Sequence, residues 1–143
     1  MPRRPRGHGS CCRALAIDGS GRSVVAGYAS TNTGYRFGVA RLTSAGTLDG
    51  SFSSDGVLML SVDQSTESTA YAVAVDASNR IVAAGRAKVG GIDQIAVVRL
   101  TAAGALDPTF SANGMLTTLF PGSTKCWAAG VPGCSSSYCW CRC

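Results

Sequence analysis

The chain has 143 residues, seven Cys, a single His and a formal net charge of +5. That length holds one modest core, the lone His8 leaves no Ser-His-Asp or Cys-His pair inside a fold, and no apolar run approaches the roughly 20 residues of a membrane-spanning helix. The charge is an end effect: between residues 14 and 118, seven basic residues meet all eight acids, so the excess Arg and Lys lie at the two ends.

Residues 1–13 read as a basic, irregular arm carrying Arg3, Arg4, Arg6 and Arg13. The stretch that opens the chain is short and offers no aromatic ring for base stacking, so nucleic-acid binding is not expected. The twin Arg is not followed by an apolar segment, so it is not read as an export signal.

Residues 14–60 then lie on residues 72–118 at a constant offset of 58, without a gap, and 21 of the 47 pairs are identical. A repeat of that length fixes the architecture before any local reading. It divides the chain into repeat 1 (residues 14–71), repeat 2 (72–123) and a Cys-rich irregular tail (124–143).

Each repeat opens on a short apolar run closed by an acid, Ala14-Leu15-Ala16-Ile17-Asp18 and Ala72-Val73-Ala74-Val75-Asp76. This is the pattern of a strand ending at a turn. Gly19-Ser20-Gly21-Arg22 and Ala77-Ser78-Asn79-Arg80 supply that turn, since Gly and Asn tolerate positive φ. A second strand follows at residues 23–27 and 81–85, completing a hairpin. Residues 28–36 and 86–94 are polar and the least similar between the copies, and both read as loops. A third strand covers residues 37–42 and 95–100. Residues 43–52 and 101–110 are too rich in turn formers for a regular element, with Leu48, Phe52, Leu106 and Phe110 expected to tuck the connection onto the sheet. A last strand follows Gly56 and Gly114.

The expected fold class is therefore all-β: two four-stranded antiparallel sheets resembling propeller blades, with a two-sheet β-sandwich as the alternative. Strands such as Val24-Val25-Ala26 and Ala96-Val97-Val98 are apolar on both faces. A sheet wet on one face would alternate, so each sheet should be covered on both sides, as in a propeller. The residues Ala14-x-Ala16-x-Asp18, Val24-Val25-Ala26-Gly27, Arg41-Leu42, Gly46-x-Leu48-Asp49 and Phe52 resemble the delta-60 repeat, a bacterial propeller-like repeat of long tandem arrays. The resemblance covers both copies. It implies a structural or interaction scaffold without a defined ligand, in a large bacterial surface or secreted protein.

A propeller closes with about four to eight blades, and two copies leave faces and edges bare. Three arrangements meet this difficulty: a fragment of a longer array, a self-contained sandwich, or self-assembly into a ring. The expected partners are thus further repeats or other copies, meeting through exposed sheet edges.

No catalytic constellation is visible, and neither an enzyme nor a cofactor is expected. Asp18/Asp76 and Asp49/Asp107 recur at equivalent positions, which suits holding a unit together better than performing one reaction. Asp18-Gly19-Ser20-Gly21 has too few oxygens for calcium. Arg41 and Arg99 stand near the ends of mostly apolar strands and need acceptors. A structural clamp onto backbone carbonyls or onto Asp49 and Asp107 is expected. A binding surface, if the chain has one, belongs where the copies differ: Tyr28, Asn32, Tyr35 and Arg36 in one segment, Arg86, Lys88, Asp93 and Gln94 in its counterpart. Such loops suit a protein or glycan ligand, and a propeller-type hydrolase is the weaker alternative. In the tail, Cys126, Cys134, Cys139, Cys141 and Cys143 lack the Cys-x-x-Cys knuckle of a zinc site, and no metal is expected there.

Overall fold

The structure, a computed structural model, describes residues 9–119. Eight strands form two sheets in chain order. The first holds β1 (Ser10–Ile17), β2 (Ser23–Thr31), β3 (Gly34–Leu42) and β4 (Val57–Leu60), and the second holds β5 (Glu67–Val75), β6 (Ile81–Val89), β7 (Ile92–Leu100) and β8 (Met115–Thr118). Each sheet is an antiparallel meander with neighbours in sequence order. The fold is all-β, with two blade-like sheets and, among the described residues, a single 3-10 turn at Val62–Gln64 between them.

The strand boundaries differ from the sequence reading in three regions. β1 begins at Ser10, inside the arm expected to be irregular, because Ser10, Cys11 and Cys12 pair with Ala29, Tyr28 and Gly27. β5 begins at Glu67, inside the segment assigned to repeat 1, because it pairs with Lys88. The polar segments expected to be loops are mostly strand. β2 runs on to Thr31 and β3 starts at Gly34, leaving only Asn32-Thr33 as the turn; β6 and β7 leave only Gly90-Gly91. Gly90 and Gly91 have φ of 57° and 80°, the left-handed pair of a type I′ hairpin turn. The Cys-rich tail lies outside the described residues.

Both copies carry a bulge at the same place. The register shifts between Cys12 and Ala14 and again between Ala70 and Ala72, leaving Arg13 and Tyr71 as the extra residues. Gly27 and Gly85 stand opposite, where a Cβ would run into the carbonyls of Cys11 and Thr69. The shared Gly is thus required by a close backbone approach.

The sheets pack face to face. The front face of each sheet is the one carrying Val24, Val39 and Arg41 in repeat 1 and, 58 residues on, Val82, Val97 and Arg99 in repeat 2. The back face carries Val25 and Ala40, or Ala83 and Val98. The core is formed by Val24, Ala26, Phe37 and Val39 from the front of the first sheet and Ile81, Ala83, Ala96, Val98 and Leu100 from the back of the second, all essentially inaccessible. Front meets back, so the sheets are stacked in the same sense rather than mirrored. Phe52 and Val62 close the core from the connections. Among the described residues no helix is long and apolar enough to cross a membrane.

Candidate functional site

Among the described residues, three groups are candidates for a functional site: the duplicated Arg–Asp clusters, the hairpin ends, and the two open sheet faces.

Arg41 projects from β3 into the inter-sheet space, with only 2% of its side chain accessible. Its Nε donates to Asp49 Oδ2 at 2.8 Å, its Nη2 to Ser51 Oγ at 3.1 Å, and its Nη1 to the carbonyl of Ala102 in repeat 2. The guanidinium lies over Phe52, 5.0 Å from the ring centroid. Asp49 also accepts the N–H and hydroxyl of Ser51 at 3.0 and 2.6 Å. These Ser51 bonds first, and then Arg41, hold its carboxyl down to about 2 against the opposing effect of burial.

Repeat 2 rebuilds most of this cluster. Arg99 Nε donates to Asp107 Oδ2 at 2.8 Å and Nη2 to Thr109 Oγ1 at 2.9 Å, with the guanidinium 5.1 Å from the Phe110 centroid. The Thr109 hydroxyl and N–H, followed by Arg99, lower Asp107 against burial. No carbonyl meets Arg99 Nη1 among the described residues, and its side chain is 21% accessible.

A second recurring pair was missed in the sequence. Arg22 Nε donates to Asp18 Oδ2 and Arg80 Nε to Asp76 Oδ2, both at 2.7 Å, while each Asp also caps two backbone N–H groups of its turn. For both acids burial raises the carboxyl, but the N–H and Arg bonds outweigh it. The shared Asp-x-Ser-x-Arg spacing was the available signal.

The eight candidate binding residues are on strands and at one turn rather than on long loops. Tyr28 and Tyr35 meet edge to face at 4.9 Å. Asn32 is at the exposed hairpin turn. Arg36 donates to Thr66 O at 2.9 Å and Thr33 Oγ1 at 3.0 Å. Arg86 pairs with Asp93 at 2.8 Å, and Glu67 stands at 3.8 Å. Lys88 faces Asp93 across the β6–β7 ladder, and Gln94 faces Ala87. The two hairpin ends are joined through Thr66, which receives Arg36 and donates its N–H to Lys88 O at 3.0 Å. Much of this cluster is spent on internal bonds. Cys11 and Cys12 are exposed free thiols on β1.

The open faces are the remaining feature. The back of the first sheet exposes Leu15 (61%), Ile17 (57%) and Met59 (56%). Val25, Gly27, Gly38, Ala40, Val57 and Met59 line a shallow apolar groove there. In repeat 2 the equivalents of Leu15, Ile17 and Val57, namely Val73, Val75 and Met115, pack against the core.

Two segments, residues 19–52 and 77–110, match the family model of a domain of unknown function, DUF5122, described as a β-propeller. The duplicated module is a β-propeller-like repeat. No curated protein matches the chain. The matched segments begin one residue after Asp18 and Asp76 and end at Phe52 and Phe110, so each takes in one of the Arg41–Asp49 and Arg99–Asp107 clusters.

Proposed function

We propose that this chain is a non-enzymatic scaffold module that works by stacking sheets. One observation carries the reading: front meets back between the repeats, so among the described residues one back face and one front face are left over, each matching a surface already used. An interface that joins unlike faces does not exhaust itself, whereas a mirrored sandwich would. The four recurring carboxylates support a structural role, because each is engaged by an Arg and by N–H groups of its own repeat. The finer assignment to delta-60 repeats of a larger bacterial surface or secreted protein rests on the sequence resemblance and belongs to the same proposal.

The test is a chain in which residues 61–118 are repeated once more in tandem after Thr118. A third sheet would cover the open front of the second. In stacked-repeat proteins each added interface adds stability, so the urea midpoint should rise above that of the two-repeat chain. An unchanged or lower midpoint would reject stacking as the chain's role.

A further inference from the structure

The contacts that join the two repeats can be written out and shifted by 58 residues. Arg41 Nη1 donates to Ala102 O, Ser53 N–H donates to Ala103 O at 2.9 Å, and the Phe52 ring lies against Gly104. Shifted forward, the donor side becomes Arg99, Phe110 and Ser111. These residues have the same local geometry: Ser53 and Ser111 both have φ of 48°. Neither Arg99 Nη1 nor Ser111 N–H meets a carbonyl among the described residues. Shifted back, the acceptor side becomes Ser44 O, Ala45 O and Gly46. Gly46 has φ of 85° against 86° for Gly104, yet nothing lies within 4 Å of where its Cβ would be. Donors thus wait at one end of the molecule and acceptors at the other, each already held in the conformation used between the repeats.

We infer that the occupant of both open surfaces is a second copy of this chain, docked head to tail. The Ser44 and Ala45 carbonyls of one copy receive Arg99 and Ser111 of the other, and Phe110 covers Gly46. This rests on the stacking role proposed above and names its partner. The apolar faces agree: the groove over Gly27, Gly38 and Ala40 is the equivalent of the buried Gly85, Ala96 and Val98 surface, which the front of the first sheet fills. The open front of the second sheet offers the equivalent filling, with Leu116 39% exposed in place of Leu58, which packs on the core. The contact runs through sheet faces, not through the sheet edges expected from the sequence. Two contacts are not reproduced. Gly19 N–H donates to Asn79 Oδ1 between the repeats, but the counterpart of Asn79 is Gly21. Arg36 reaches Thr66 O, but its counterpart is Gln94. The copy-to-copy contact is therefore weaker than the one within the chain. An interface of unlike faces closes into a ring or continues as a filament. With about four to eight blades per propeller, a ring takes about two to four copies.

The experiment uses the full chain under reducing conditions, so that thiol cross-links do not count, with mass measured by sedimentation across the micromolar range. Leu15→Glu with Ile17→Lys blocks the back face. Val97→Lys with Leu116→Glu blocks the front; residues 97 and 116 are ladder partners, so the new charges compensate. The unmodified chain is expected to be a multimer, and each blocked chain a monomer. An equimolar mixture of the two should form a one-to-one heterodimer, because each retains the face the other needs. That heterodimer also shows that both variants fold. A monomeric unmodified chain, or a mixture that stays monomeric while both variants keep their β-sheet circular dichroism, overturns the inference. If the tandem three-repeat chain is stabilised and the free chain is nonetheless monomeric, stacking stands and only the second-copy partner falls.

Discussion

Arg41 and Arg99 make the same bonds to their own repeat and live in different surroundings. Each donates Nε to a turn Asp at 2.8 Å and lies over a Phe, yet only Arg41 is sealed by a neighbouring sheet, at 2% against 21% accessibility. Phe52 is fully buried and Phe110 is not. The difference separates two jobs that a recurring residue performs. The local cluster folds the connection onto its own sheet; the same cluster joins that sheet to the next only when a next sheet is present.

Matched substitutions sharpen that comparison. The largest gap should be at the rings: Phe52→Ala should cost about 3–5 kcal/mol by urea denaturation, with Phe110→Ala well below that because its ring is already partly in water. A similar cost at both positions would mean that the inter-repeat contact adds little. Arg41→Ala should follow at about 3 kcal/mol, since it strands buried acceptors, while Arg99→Ala should cost about 1 kcal/mol or less at its wetter site. A third pair isolates sterics. Gly46 and Gly104 share the same φ, so each Gly→Ala should carry about 1–2 kcal/mol of backbone strain, but only at Gly104 does the new Cβ meet the Phe52 ring, at 2.8 Å. Overpacking should add about 1–3 kcal/mol there. Equal effects would show that the ring moves aside freely.

A last test is in acid. Asp49 titrates at about 2 in the folded chain against an ordinary 3.8, and Asp18, Asp76 and Asp107 shift in the same direction. A lowered folded value means that the unfolded chain binds protons first. The stabilisation is complete above about pH 4 and is lost as pH falls towards 2. Urea midpoints measured between pH 5 and 2 should decline, and Asp49→Asn should flatten part of that decline. A midpoint independent of pH over this range would remove the carboxylates from the account of stability.

The duplicated strands were readable because apolar runs bounded by turn residues recur at one offset, and two independent copies of a weak local signal reinforce each other. The hairpin ends were misread for the complementary reason. Residues 28–36 and 86–94 differ between copies and are polar, so neither recurrence nor hydrophobicity marked them as strand. Their order comes from ladder pairing with residues on the neighbouring strand. The bulges at Arg13 and Tyr71 were equally silent, although the shared Gly27 and Gly85 across from them marked a close approach. Residues 10–12 join β1 because of where β2 lies, not because of any signal in Ser10-Cys11-Cys12.

By itself, the sequence determined two sheets of four strands in a shared order, since period, turns and duplication are local properties of the chain. Only the tertiary structure decided which faces meet. Strands apolar on both sides carry no label for inside, and the choice is made by shape: Gly and Ala on one back face receive the bulk of the neighbouring front. That choice makes Arg41 a buried link between repeats and leaves Arg99, among the described residues, bonded only within its own repeat.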